Sequence, residues 1–100
     1  MDENLYVITL ERTKLYKKAN KEAVKRHVDY IKNLDDDGRL HLCGLLRGYP
    51  GVAGMIIFKA ENREEAEKIC ASEPFHAEGY TVNKLAVMIV ANKENNFLLR

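Results

Sequence analysis

Several classes of function are excluded by what this sequence lacks. Cys43 and Cys70 are its only two cysteines, too few and too ordinarily placed for the disulfide framework of a small secreted domain. Lysine and arginine number 16 against 15 acidic residues, a formal net charge of +1, so no global field draws the chain toward nucleic acid or anionic lipid. The longest strongly apolar run, Leu85 to Ala91, falls far short of the ~20 residues of a membrane helix. Met1-Asp2-Glu3-Asn4 has neither the basic nor the apolar region of a secretory leader. The glycines from Gly48 to Gly54 are not a phosphate loop, because no lysine followed by serine or threonine opens a helix after them. The expectation is a soluble cytoplasmic protein without a membrane or nucleic-acid partner and without a cofactor.

What is present suits one small domain. The chain has 100 residues, 46% of them hydrophobic and 31% charged, which fits a single globular core and not a disordered segment. Residues 1–100 read as one domain, with a core from 5 to 91 and a polar tail from 92 to 100. Leu5 to Leu10 is apolar on both alternating faces and predicts a buried strand. After a charged connection, Asn20 caps a helix whose Val24, His27, Val28, Ile31 and Leu34 recur at the spacing of one face. Asp35-Asp36-Asp37-Gly38 ends it, and acidic residues at the negative end of a helix predict fraying.

Arg39 to Leu46 alternates, with Leu40, Leu42 and Leu46 on one side and His41, Cys43 and Leu45 on the other, and predicts a second strand. Arg47 to Gly54 reads as a loop, and Met55 to Phe58 as a third strand paired antiparallel with the second. Asn62 followed by Glu65 fits a capping box, opening a short helix with Ala66, Ile69 and Cys70 inward; Pro74 stops it. Val82 to Ala91 is a fourth strand, and the tail ends in Phe97-Leu98-Leu99, able to dock or pair.

Strand, helix, strand, strand, helix, strand is the ferredoxin-like α+β arrangement, βαββαβ around a four-stranded antiparallel sheet. Two helices cover one face of such a sheet, yet strands one, three and four carry apolar residues on both. An identical sheet is the simplest cover for the other face, which predicts a homodimer packed sheet to sheet.

Tyr6-Val7-Ile8-Thr9-Leu10, His27-Val28-Asp29-Tyr30-Ile31, Gly38 to Gly44, Gly54-Met55-Ile56-Ile57, Glu64-Glu65-Ala66-Glu67 and Glu73-Pro74-Phe75-His76-Ala77-Glu78-Gly79 resemble, in order, the YciI-like (YCII-related) proteins over roughly Leu5 to Val90. The resemblance implies a ferredoxin-like fold that dimerises as an α/β barrel, similar to muconolactone isomerases. It also implies an active site made of a histidine on the first helix and an aspartate in an Asp-Pro-Phe motif after the second. His27 matches the histidine. Glu73 stands at the aspartate position, a carboxylate on a longer stem. One branch of the family is associated with dehydrochlorination of chlorinated hydroxyquinols, a substrate class not carried over here.

His27 and Glu73 are therefore the candidate catalytic residues, an imidazole able to take and give a proton and a carboxylate to fix its tautomer. Without the resemblance, His27 reads as a packing residue and Glu73 as a solvated acid beside a helix-stopping proline. Phe75 and His76 are candidate ligand-binding residues; the plainer alternatives are a core anchor and a partly exposed loop histidine. His41 and Cys43, sharing a face, lack the paired spacing of a zinc site, and Cys43 reads as a buried structural cysteine. Lys14, Lys17, Lys18, Lys21, Lys25 and Arg26 form a basic rim suited to attracting a small anionic ligand toward His27. The expected function is a cofactor-independent lyase or isomerase acting on a small polar or aromatic metabolite. The alternative is a non-catalytic dimeric module that binds a small ligand or assists an enzyme.

Overall fold

The computed structural model describes residues 4–99; Met1 to Glu3, where the absence of a leader is read, and Arg100, the end of the expected tail, lie outside the described residues. The elements are β1 (Asn4–Arg12), a 3-10 turn (Tyr16–Lys18), α1 (Lys21–Asp36), β2 (Leu40–Leu45), β3 (Val52–Phe58), α2 (Arg63–Ser72), a one-turn α3 (Pro74–Ala77), β4 (Thr81–Ile89) and a second 3-10 turn (Asn96–Leu98). The strands form one antiparallel sheet in the order β2-β3-β1-β4. This is the expected ferredoxin-like α+β arrangement. Ile8, Leu10, Ile56 and Phe58 pack on one sheet face against Ala23 and Leu34 of α1, Ala66 and Cys70 of α2, and Phe75 of α3.

Local chemistry explains the boundaries. Asn20 Oδ1 accepts from the Ala23 N–H at 2.9 Å and starts α1, as a side-chain N-cap does. The acidic end of α1, expected to fray, continues through Asp36 and is closed by Gly38 at φ +74. There the Arg39 N–H donates to the Leu34 carbonyl and the Gly38 N–H to the Asp35 carbonyl, both at 2.9 Å, a glycine-terminated cap that ordinary residues resist. Asn62 caps α2 through the Glu65 N–H at 2.8 Å. The Glu65 carboxylate reaches the Glu61 N–H and Arg39, so the capping box forms only in its first half.

Three expectations need correction. The inward stripe of α1 is rotated: Ala23 and Leu34 are buried and Ile31 and Tyr30 pack on the core, while Val24 and Val28 are 44% and 39% exposed. Two tethers set that rotation, His27 to Glu73 and the Tyr30 hydroxyl donating to the Ile69 carbonyl at 3.1 Å. In β2, His41 is an extra residue between Leu40, paired with Phe58, and Leu42, paired with Ile57. A bulge of this kind reverses alternation, so Cys43 shares the core-side face with Leu40, and His41 no longer belongs to a regular set. Cys43 itself is exposed, because β2 is the sheet edge.

Candidate active site

The site grows from a break in the chain. Pro74 cannot continue α2, since it has no N–H to donate, but it suits the first position of a new helix. Glu73 becomes the N-cap of α3, and its carboxylate accepts from the Phe75 N–H at 2.8 Å and the His76 N–H at 3.3 Å. Two side-chain donors complete its shell, His27 Nδ1 at 2.7 Å and Asn83 Nδ2 at 2.9 Å. Glu73 is 0% exposed. Burial pushes its carboxyl upward, but the hydrogen bonds from His27, Asn83 and Phe75, with the charge of His27, outweigh burial and hold it below the usual glutamate range. Every contact is made by a donor, which favours the ionised form.

His27 is fixed on both sides. Its ring stacks on Phe75 at 4.1 Å between centroids and 6° between planes. In the neutral imidazole a proton on Nδ1, facing the Glu73 carboxylate, leaves the lone pair on Nε2. Nε2 has no hydrogen-bond partner among the described residues, and the His27 side chain stays 17% exposed. The ring forms part of the wall of a cleft of about 200 Å³ between α1 and the β2–β3 hairpin, with Leu10, Tyr16, Ile31, Cys43, Leu45, Met55 and Phe75 among its lining residues. Gly44 and Gly54 lie in the same wall, and a Cβ on Gly54 would stand 2.6 Å from the Gly44 carbonyl oxygen. Apart from His27 and Tyr16 the lining is largely apolar, the usual character of a small-molecule site.

A second layer holds Glu73. Asn83 Nδ2 also donates to the Cys70 carbonyl at 3.4 Å, and Asn83 Oδ1 accepts from the buried Thr81 hydroxyl at 2.8 Å. The Asn83 backbone N–H donates to His76 Nδ1 at 3.0 Å. Outside this layer, Arg26 Nε and Nη2 clamp Glu78 at 2.8 and 2.5 Å, tying α1 to the end of α3. The Arg26 hydrogen bond holds the Glu78 carboxyl below its ordinary range. Burial and the Glu73 charge both push the Cys70 thiol upward, so it stays protonated and inert.

The structure thus brings His27, Glu73 and Phe75 together. His76 sits beside them on α3, half-buried, with Nδ1 committed to Asn83 and outside the lining of the cleft. Among the described residues no three His, Cys, Asp or Glu side chains group as metal ligands. Asn83 is the residue that sequence reasoning passed over. Its signal was a polar side chain two positions before Leu85, on the same strand face as that residue.

No curated protein matches the chain. Among solved structures, the chain is similar to the 5-chloro-2-hydroxyhydroquinone dehydrochlorinase (TftG) of Burkholderia phenoliruptrix AC1100, determined with 2,5-dihydroxybenzoquinone. The TM-score is 0.69 at 16% identity, covering 92% of this chain and 98% of the other, a likeness of fold. Residues 4–89 match the family model of the YCII-related domain, and the chain belongs to that family.

Proposed function

We propose that the protein is a small-molecule enzyme in which His27 is the general acid/base and Glu73 its orienting carboxylate. The observation that carries this is the 2.7 Å hydrogen bond from His27 Nδ1 to a fully enclosed carboxylate, with Nε2 left to an apolar cleft. Nε2 would take a proton from a carbon acid bound there, and the Glu73 charge would stabilise the imidazolium. The electron pair left on carbon either expels a leaving group, giving elimination, or accepts the proton back at another carbon, giving isomerisation. Neither step needs a cofactor. The dehydrochlorinase built on this fold keeps elimination within the reaction class, without fixing the substrate.

One feature favours the non-catalytic module: Glu73 fulfils a complete structural task as a helix cap, with His27 as one of its satisfied partners. A metabolite screen by thermal shift separates the two. Ligands that stabilise wild type and fail with His27→Ala, and that lose a carbon-bound proton to deuterium in wild type by NMR, support the enzyme. Equal shifts in both proteins and no exchange support the module.

The homodimer belongs to the same proposal. On the face away from the helices, Leu42 neighbours Ile57, Val7 lies between Ile57 and Ala86, and Leu5 pairs with Met88. Leu5 and Val7 are already buried, and the apolar surface left open lies toward the two sheet edges, with Leu42 62% and Met88 41% exposed. A second copy would cover this apolar surface. Light scattering at micromolar concentration is expected to give a dimer that Leu42→Lys with Met88→Lys converts to monomer; a wild-type monomer would end the idea.

A further inference from the structure

The arginines among the described residues divide into two groups. Arg26, Arg39 and Arg63 are each paired with a glutamate, Glu78, Glu65 and Glu67. Arg12 and Arg47 have no carboxylate partner among the described residues, and both line one cleft beside the tip of the β2–β3 hairpin, together with Leu46 and Tyr49. Two exposed guanidiniums without a carboxylate partner, lining one open concave surface, leave positive charge there for an anion to meet. The nearest acid in sequence, Glu11, is drawn away by Lys84 at 2.9 Å.

The contact between Arg12 and Tyr16 links this cleft to the His27 cleft. The Arg12 guanidinium lies 5.3 Å from the Tyr16 ring centroid, and Tyr16 lines the His27 cleft, where it meets Phe75 edge-on at 6.1 Å. Leu46 of the arginine cleft directly follows Leu45 of the apolar one. Backbone contacts fix the junction: the Arg12 N–H donates to the Gly51 carbonyl at 2.8 Å, and the Thr13 hydroxyl to the Gly79 carbonyl at 2.7 Å. A molecule with its apolar body beside His27 and Phe75 would carry its polar end past Tyr16 to the arginines.

Resting on the acid/base assignment above, we propose that the substrate is an apolar carboxylate, with its body in the His27 cleft and its carboxylate held by Arg12 and Arg47. The guanidinium fork suits a carboxylate in particular, since it matches the two oxygens with two parallel N–H donors.

The test uses acid and amide pairs of one shape, benzoate with benzamide and trans-cinnamate with cinnamamide, titrated by calorimetry and NMR at low salt. Wild type is expected to bind at least one acid roughly tenfold or more tighter than its amide, the scale of charge-assisted hydrogen bonds. Arg12→Gln with Arg47→Gln is expected to bring that ratio close to one while leaving amide affinity unchanged. An amide bound as tightly as its acid in wild type overturns the proposal. So does a ratio that survives the double substitution, or no detectable binding of either acid. His27→Asn separates this from the proposed function: the acid-to-amide ratio persists in it even if wild type proves to have no proton-transfer activity.

Discussion

Replacing Glu73 tests the centre of the site. Glu73→Ala removes an enclosed acceptor and leaves the Phe75 N–H, the His76 N–H and Asn83 Nδ2 facing a void, with His27 Nδ1 unpaired. Each buried donor left without a partner costs about 1–3 kcal/mol, less where water enters, and the lost helix cap is already contained in the Phe75 and His76 donors. Four such donors at the low end of that range come to about 4 kcal/mol, within the span of about 3–5 kcal/mol for removing one partner of a buried pair. Against a total stability of about 5–15 kcal/mol this is severe, and at about 4–8 °C per kcal/mol it lowers Tm by about 15–30 °C. Glu73→Gln keeps the volume and one carbonyl oxygen but turns an NH2 group toward donors, which costs about 1–3 kcal/mol.

The pH dependence supplies the sharper check. The Glu73 carboxyl is held below its ordinary value of 4.5 in the folded protein. Its stabilising contribution is therefore complete above that value and is lost as pH falls through the depressed folded value. Glutamine does not titrate, so the stability gap between wild type and Glu73→Gln should be widest near neutral pH and narrow as acid is added below about 4.5. Urea unfolding followed by far-UV circular dichroism measures it in a chain that has no tryptophan to report. A gap that stays constant from about pH 6 to about pH 3, or a Gln variant as stable as wild type at neutral pH, would refute the claim that an ionised Glu73 holds the site.

Further outcomes follow from the same geometry. Asn83→Ala removes one Glu73 donor and the contact to the Cys70 carbonyl, and thermal unfolding should show a loss of about 1–3 kcal/mol with displaced His27 ring resonances; unchanged resonances would deny it a positioning role. Gly54→Ala places a methyl group against the Gly44 carbonyl, so denaturation should show a loss of about 1–3 kcal/mol, whereas a neutral result would mean that the hairpin yields freely. Cys43 should react with a thiol reagent in the native state while Cys70 waits for unfolding, and a ligand bound in the His27 cleft should slow Cys43 alone.

Much of the fold was legible because it rests on local chemistry. Asn20, Asn62, Gly38 and Pro74 act within a few residues of themselves, and the helix and strand order follows from them. The sheet also followed, since apolar character on alternate faces decides which residues must be covered. The errors lay where tertiary contacts override periodicity. Val24 and Val28 have the spacing of an inward stripe, but a hydrogen bond from His27 to a residue on another element turns the helix. The bulge at His41 is invisible to an alternating pattern, because one extra residue leaves both strand segments regular.

The exchange of aspartate for glutamate at the motif position is where sequence and structure meet most closely. Beside a proline, a carboxylate reads as solvated, and a longer stem suggests looser geometry. The structure shows the opposite circumstance, because the stem is immobilised by the cap it forms. Phe75 and His76 N–H groups grip the two carboxylate oxygens from the helix side, Asn83 grips one from the sheet, and the remaining direction on the other oxygen points to His27. The side-chain entropy that a free glutamate would lose on meeting a histidine is lost on forming the cap. An asparagine on the last strand, absent from the motif, is thus as much a condition for the His27–Glu73 pair as the proline that opens α3.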